Sequence, residues 1–177
     1  YNDLAEPIVG RRLVAENALP DPTKQYPSVK GLHDLFEAEN VWNVESYWLR
    51  QSAVDEEELE ALLDRVEARL DNPREFLLPS GWDEAKERLL PQDLKPAIYR
   101  RQRGPVTFAT SVYGAEDLLF LLYDNPDLAA RFRDVILKAM LERARILDEE
   151  AGYTLDTAPR GFSFADDKCA LLNREMY

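Results

Sequence analysis

The sequence predicts an α/β fold in which short buried strands alternate with amphipathic helices. Residues 127–151 repeat apolar side chains at helical spacing, and 114–122 is a shorter apolar helix. Residues 105–110 and 161–166 are short apolar runs of the kind that form buried strands. The order strand, helix, helix, strand is typical of parallel βαβ units.

The first half of the chain is predicted to be mainly helical. Residues 54–70 have acids at the start and one apolar stripe, and 80–90 begins with a capping-box pattern. Shorter helices are expected over 8–18 and 30–38. Residues 41–49 are rich in aromatic side chains, and their periodicity fits either a strand or a buried helix.

Composition restricts the classes of function. The chain has 177 residues, of which 45% are hydrophobic and 32% charged, so a soluble globular domain with its own core is expected. The net charge of −12 argues against binding to nucleic acid, whose phosphates require a basic surface. The same charge argues against an anionic membrane surface, and no run reaches the roughly 20 apolar residues of a membrane helix.

Cysteine and histidine are too scarce for a structural metal site within this sequence. Cys169 is the one cysteine, so no intrachain disulfide can form, which fits a reducing, cytoplasmic compartment. His33 is the one histidine, and no Cys or His pair has metal-ligand spacing. Packing or surface roles are the favoured interpretation of both residues, although Lys168 would favour a thiolate at Cys169.

The last 18 residues, RGFSFADDKCALLNREMY, place two acids where a predicted strand ends. Asp166 and Asp167 follow the apolar run and are succeeded by Lys168. Adjacent strand residues point to opposite faces, so at most one of the two aspartates is expected to face a site. Trp42 and Trp48, like the third tryptophan of the chain, are interpreted as core or interface residues.

Several segments of residues 103–177 together resemble the uroporphyrinogen decarboxylase superfamily, which also contains corrinoid-dependent methyltransferases. The order and spacing of the segments carry the resemblance. They are Gly104-Pro105-Val106-Thr107, Tyr123-Asp124-Asn125-Pro126-Asp127-Leu128, Ala151-Gly152, Asp166-Asp167 and Leu171-Leu172-Asn173-Arg174-Glu175-Met176-Tyr177.

The resemblance implies a TIM barrel, a fold that typically needs about 250 residues. The expected structure is therefore part of a barrel. Residues 1–95 would form a helical N-terminal segment and the early barrel region, and 96–177 would form truncated strand–helix–strand units. A partial barrel would leave apolar side chains such as Phe120, Leu121 or Met140 uncovered.

For the decarboxylase members the resemblance implies a cofactor-free reaction on a carboxylated tetrapyrrole. Asp166 or Asp167 would be catalytic, because a carboxylate can bind pyrrole N–H groups and stabilise a protonated intermediate. Arginines bind carboxylates in bidentate fashion. The residues expected to bind substrate are Arg100, Arg101, Arg103, Thr107 and Lys168.

Departures from the decarboxylase pattern leave alternatives open. The family's Met-Arg-Gln-Ala-Gly-Arg motif is absent, its tyrosine falls at Ser111 and its later serine at Asp167. The methyltransferase members use zinc and a corrinoid, and their zinc ligands would lie outside this chain. A tetrapyrrole- or corrinoid-binding protein without catalysis and a helical interaction module are further alternatives. Expected partners are a small-molecule substrate, a second copy in a homodimer, or a corrinoid protein.

Overall fold

The computed structural model describes residues 2–12, 21–44, 46–98, 100, 102–154, 156–157 and 164–173. Within these residues the chain is helix-rich. Its helices are α1 (Asn2–Val9), α2 (Leu32–Leu35), α3 (Glu56–Leu70), α4 (Pro73–Leu77), α5 (Trp82–Leu89), α6 (Pro105–Tyr113), α7 (Ala115–Asp124) and α8 (Pro126–Ala151). Its strands are β1 (Asn40–Asn43), β2 (Ser46–Leu49), β3 (Gln102–Arg103) and β4 (Phe164–Ala165), and 3₁₀ turns cover Pro22–Lys24, Leu90–Gln92 and Asp167–Leu171.

Helix α8 is the central element, and local sequence signals define both of its ends. The side chain of Asn125 accepts a hydrogen bond from the Leu128 N–H at 3.2 Å, and Pro126 occupies the first turn. Gly152 ends the helix in the left-handed conformation at φ 69°. Between these ends α8 packs against α2, α3, α4, α6 and α7.

The core is built from the apolar stripes of these helices. In α3 the buried residues are Leu59, Leu62, Leu63, Val66 and Leu70. Phe36 next to α2 meets Phe108 of α6 edge-on, with ring centroids 5.0 Å apart. Tyr113 of α6 meets Phe132 of α8 in the same manner at 6.3 Å. Edge-to-face aromatic pairs of this kind add to the stabilisation from burial.

Strands β1 and β2 form an antiparallel hairpin, which decides between the two interpretations of 41–49. Asn40 pairs with Leu49, and Trp42 pairs with Tyr47. The hairpin packs on α6, where Leu49 is buried. Val44 lies in the turn at φ 51°, a conformation that β-branched residues seldom adopt.

The partial TIM barrel and its α/β fold class are wrong. The described residues form helices, one antiparallel hairpin and only a two-residue parallel contact, in which Gln102 pairs with Phe164 and Arg103 with Ala165. The segment 105–110, predicted as a strand, is the first part of α6. Pro105 suits the first helical turn, and Val106, Ala109 and Val112 recur at helical spacing.

The predicted long helices are confirmed. Residues 54–70, 80–90 and 127–151 correspond to α3, α5 and α8, and the segment after Gly114 corresponds to α7. The short helix expected over 30–38 is present as the four residues of α2. The helix expected over 8–18 is wrong in its described part, because α1 ends at Val9; residues 13–20 lie outside the description.

The expected exposure of apolar side chains is found at one of three positions. Phe120 on α7 is exposed, whereas Leu121 and Met140 are buried in the core. None of the helices in the described part of the chain combines the length and the apolar character that crossing a membrane requires.

A buried carboxylate connects the end of α8 to α4 and α5. Glu150 accepts hydrogen bonds from Trp82 Nε1 at 2.8 Å, from Lys86 Nζ at 2.7 Å and from Arg74 Nε at 3.0 Å. Burial alone would raise the pKa of Glu150, but these three donors outweigh burial and hold the pKa below its usual value.

We expect Glu150→Gln to lower the free energy of unfolding by about 1–3 kcal/mol, because charged hydrogen bonds are replaced by neutral ones. Glu150→Leu should cost more, since the buried Trp82 N–H then has no acceptor. Glu149→Gln is the matched control on the exposed side of α8 and should change stability by less than about 0.5 kcal/mol. Urea denaturation measures all three, and equal effects of Glu150→Gln and Glu149→Gln would contradict the network.

A second ion cluster predicts how stability responds to acid. Glu37 receives a bidentate contact from Arg65 at 3.0 and 2.8 Å and a further one from Arg69. The Arg65 contact, opposed by burial and aided by Arg69, lowers the pKa of Glu37 to about 2. Because the folded pKa lies below the reference value of 4.5, this carboxylate stabilises the fold above pH 4.5 and loses its effect as the pH falls towards 2.

We therefore expect Glu37→Gln to lower stability at pH 7 by about 1 kcal/mol, a value reduced for solvent screening. The difference from wild type should shrink as the pH falls through that window. Thermal unfolding followed by circular dichroism between pH 7 and pH 2 measures it. Glu60→Gln, an exposed change on α3, should show a small difference that is independent of pH, and a constant difference for Glu37→Gln would contradict the assignment.

Candidate functional site

The candidate site begins where β3 turns into α6, because Asp166 lies against the start of that helix. Asp166 Oδ1 accepts hydrogen bonds from the Thr107 N–H at 2.7 Å and from Thr107 Oγ1 at 2.9 Å. Asp166 Oδ2 accepts from the Val106 N–H at 3.2 Å. The first N–H groups of a helix have no partner within the helix, so a carboxylate there satisfies them and interacts favourably with the helix dipole.

Gly104 allows this close approach. A Cβ atom at position 104 would lie 2.2 Å from the Cβ of Asp166, which is far inside contact distance. Thr107 extends the junction towards the C-terminal segment, because its Oγ1 also accepts a hydrogen bond from the Lys168 N–H at 3.2 Å. The Gly-Pro-x-Thr segment thus joins two regions of the chain that are about 60 residues apart in sequence, as the separation between Thr107 and Asp166 shows.

Arg103 lies next to this junction and is half-buried. Its Nη1 donates to Ser111 Oγ at 3.1 Å, and Ser111 Oγ donates to the Thr107 carbonyl at 2.7 Å. The guanidinium carbon is 5.7 Å from the centre of the Tyr47 ring, within the range of a cation–π contact. Among the described residues no carboxylate lies within 4 Å of Arg103.

The hairpin carries an aromatic surface beside Arg103. Trp42 is 73% exposed and Tyr47 is 48% exposed. Their ring centroids are 5.2 Å apart with the planes inclined at 47°. Large aromatic side chains gain most from burial, so two exposed rings next to a cation indicate a contact surface.

The other predicted site residues do not come together at the Asp166 junction in the same way. Arg100 Nη1 pairs with Asp148 of α8 at 2.9 Å, so this arginine connects the segment before β3 to α8. Lys168 is exposed and reaches the junction through its backbone. Arg101 and the side chain of Asp167 lie outside the described residues. Whether Asp166 and Asp167 face opposite sides therefore stays a prediction.

The remaining residues singled out from the sequence can be placed wherever the structure describes them. His33 Nε2 and Asn40 Nδ2 form a hydrogen bond of 2.9 Å that joins α2 to the hairpin. Trp82 is buried in the core, whereas Trp48 is 48% exposed on the hairpin. The side chain of Cys169 lies outside the description. Within the described part of the chain no group of three His, Cys, Asp or Glu residues is placed to hold a metal ion.

A cavity of about 480 Å³ opens between α6, α7 and α8, and Leu172 and Asn173 also line it. Its walls are mainly apolar, with Phe132 and Ile136 of α8 among them, and Arg133 is the charged residue in its lining. Pro105 and Val106 line one side, so the cavity adjoins the Asp166 junction. Its lining does not include Arg100 or Arg103, the two described arginines predicted to bind substrate.

The aromatic surface is the part of the candidate site that sequence reasoning missed. The sequence interprets Trp42 as a core or interface residue, and it does not single out Tyr47. The segment NVWNVESYWL does not alternate apolar and polar residues, and its connection Val44-Glu45 is not a typical hairpin turn pair, so no local signal marks the exposed face.

Comparisons with protein-family models, curated proteins and solved structures find no match to this chain. The resemblance of residues 103–177 to the uroporphyrinogen decarboxylase superfamily therefore stays a prediction from its quoted segments.

The contacts of Asp166 predict a measurable contribution to stability. Asp166→Ala leaves the first N–H groups of α6 and the Thr107 hydroxyl without their acceptor, and we expect a loss of about 1–2 kcal/mol in the free energy of unfolding. Asp71→Ala removes the same charge at an exposed position after α3 and should stay within about 0.5 kcal/mol of wild type. Urea denaturation compares the two, and equal stabilities would contradict the capping role.

Proposed function

We propose that the chain is part of a uroporphyrinogen decarboxylase-like enzyme and contributes to a binding site for a carboxylated tetrapyrrole. The observation that carries the proposal is the junction of Arg103, Thr107 and Asp166. Two of the segments that resemble the superfamily, Gly104–Thr107 and Asp166-Asp167, meet there in space, with Arg103 beside them. Segments that are distant in sequence and meet at one place are what a shared site requires.

Electrostatics supports a role for Arg103 in binding a carboxylate. The chain has a net charge of −12, and most of its described arginines, Arg100 included, have a carboxylate partner. Arg103 instead contacts a hydroxyl and an aromatic ring, both of which orient the guanidinium without neutralising it. An oriented guanidinium gives short, charge-assisted bidentate hydrogen bonds to a carboxylate.

The proposed reaction removes a carboxylate group from a side chain of a pyrrole ring. A proton first adds to the pyrrole ring. The C–C bond to the carboxylate then breaks, CO₂ leaves, and the electrons of that bond neutralise the protonated ring system. A proton adds to the side-chain carbon and the ring releases its own proton, so that one proton replaces one CO₂. Arg103 would hold a carboxylate of the substrate in place. Asp166, whose oxygens accept hydrogen bonds from Thr107 and Val106, would act as a fixed negative charge beside the positively charged intermediate.

The proposal includes no cofactor within this chain and a cytoplasmic location, for which the single cysteine is the support. The proposed site also includes Asp167, Arg101 and Lys168. Arg100 would contribute indirectly, through its contact with α8. Zinc-dependent methyl transfer from a corrinoid is the alternative within the same superfamily, and the test below distinguishes it.

The test incubates the intact protein with uroporphyrinogen under reducing conditions and separates the products by chromatography after oxidation. We expect stepwise loss of carboxylate groups. Arg103→Gln should lower kcat/KM by at least about tenfold, or about 1.4 kcal/mol. Arg145→Gln, an exposed arginine of α8 that pairs with Glu142 at 2.8 Å, is the matched control and should stay within about twofold of wild type.

Two results would overturn the proposal. One is an intact protein that neither binds uroporphyrin nor removes a carboxylate from uroporphyrinogen. The other is zinc-dependent transfer of a methyl group from methylcobalamin to a thiol without any decarboxylation, which would establish the alternative instead.

A further inference from the structure

We infer that the Trp42–Tyr47 face of the β1–β2 hairpin is a stacking surface for a planar heteroaromatic ring that carries carboxylate groups, and that Arg103 binds one of these carboxylates. The inference rests on the proposed function and adds a second part to the same site. It concerns how the ring is held, whereas the reaction concerns the Arg103–Thr107–Asp166 junction.

The register of the hairpin separates two faces. Trp42 lies opposite Tyr47, and Trp48 lies opposite Val41 on the other face, because side chains alternate along each strand. Leu49 shares the face of Tyr47 and is buried. The Trp42–Tyr47 face therefore continues outwards from the core, whereas Trp48 points to the opposite side.

Among the residues that the structure describes, this face of the hairpin stays largely exposed. Trp42 is the more exposed ring of the pair, and its 47° inclination to Tyr47 prevents the two rings from covering each other completely. Exposed indole and phenol rings bind flat π-systems by stacking, an interaction that does not depend on charge. In a chain with a net charge of −12, stacking offers an anionic ligand an attraction that overall electrostatics does not.

A cation lies at the edge of the same face. The Arg103 guanidinium is 5.7 Å from the Tyr47 ring and is held in position by Ser111. An aromatic surface and an oriented guanidinium side by side match a ligand in which a flat ring and a carboxylate are close neighbours. A purely apolar partner would leave Arg103 without a counter-charge, and a purely anionic ligand would leave Trp42 uncovered.

Contacts at the base of the hairpin keep this surface in one place. Asn40 bonds to His33 of α2, and Arg50 pairs with Glu39 at 2.8 Å across the ends of the two strands. Val44 holds the turn at φ 51°, which costs a β-branched residue energy and is typical of positions constrained by function. A hairpin held by such contacts loses less conformational freedom when a ring binds to it.

Uroporphyrin, a planar tetrapyrrole that carries carboxylates, is the probe, and binding is followed by its absorbance and fluorescence. Trp42→Leu should weaken binding about tenfold, and Trp42→Phe, which keeps a ring, should weaken it less. Trp48→Leu is the matched control on the opposite face of the same hairpin and should change binding by less than about twofold. Citrate, a carboxylate ligand without a ring, should compete equally well in wild type and in Trp42→Leu.

Unchanged binding in Trp42→Leu, or equal losses in Trp42→Leu and Trp48→Leu, would overturn the inference. So would sedimentation data in which Trp42→Leu dissociates a dimer, because a second copy of the chain would then cover this face. Circular dichroism of each variant checks that the hairpin substitutions leave the fold intact, which is expected because both side chains are exposed. The two proposals can fail separately. If the protein decarboxylates uroporphyrinogen but the two leucine variants bind uroporphyrin equally well, only the stacking surface is rejected. If the two variants differ clearly in binding but the protein shows no turnover, only the proposed reaction is rejected.

Discussion

Burial of the apolar stripe of α8 is the constraint on which the remaining structure depends. This helix contacts α2, α3, α4, α6 and α7, so each of them is positioned by the same row of side chains. Ion pairs then fix its orientation: Arg131 binds Asp64 and Glu67 of α3 at 2.5 Å each, and Glu150 binds α4 and α5 at the other end. Apolar burial supplies the driving force, and the ion pairs select one arrangement of the helices.

The junction between Asp166 and α6 extends this helical body to the C-terminal segment. Helix α6 packs on α8, where the Tyr113 ring meets Phe132, while the N-terminus of α6 offers N–H groups that need an acceptor. Asp166 supplies the acceptor from the C-terminal segment. One carboxylate therefore serves the fold and places a negative charge at the start of α6 beside Thr107, so structural and proposed catalytic roles coincide at this residue.

The hairpin gives the proposed site its second component. It is attached to the helical body through Leu49 and the His33–Asn40 hydrogen bond, and it presents Trp42 and Tyr47 beside Arg103. The two components contribute different interactions. The aromatic rings attract a ligand independently of charge in an acidic protein, and the arginine orients the ligand through its carboxylate. The same reasoning explains why Arg100, already neutralised by Asp148, is less suited to bind a carboxylate.

Local periodicity was enough to predict α3, α5, α7 and α8, because each has an apolar stripe within a single stretch of chain, and α3 and α8 also have the capping side chains of Asp55 and Asn125. It failed at 105–110, where a short apolar run has no reliable period and Pro105 was taken as part of a strand. The expected barrel failed with it, since the resemblance to a family describes an order of segments and not their pairing in space. The resemblance to the decarboxylase superfamily named Arg103, Thr107 and Asp166 among the expected site residues, but it placed them at the ends of barrel strands that the described part of the chain does not form. Only the tertiary structure shows that these three residues meet, that Arg100 pairs outside the candidate site and that Trp42 is exposed. All three features depend on contacts between residues far apart in the chain. Such contacts follow from the packing of whole helices rather than from any local pattern.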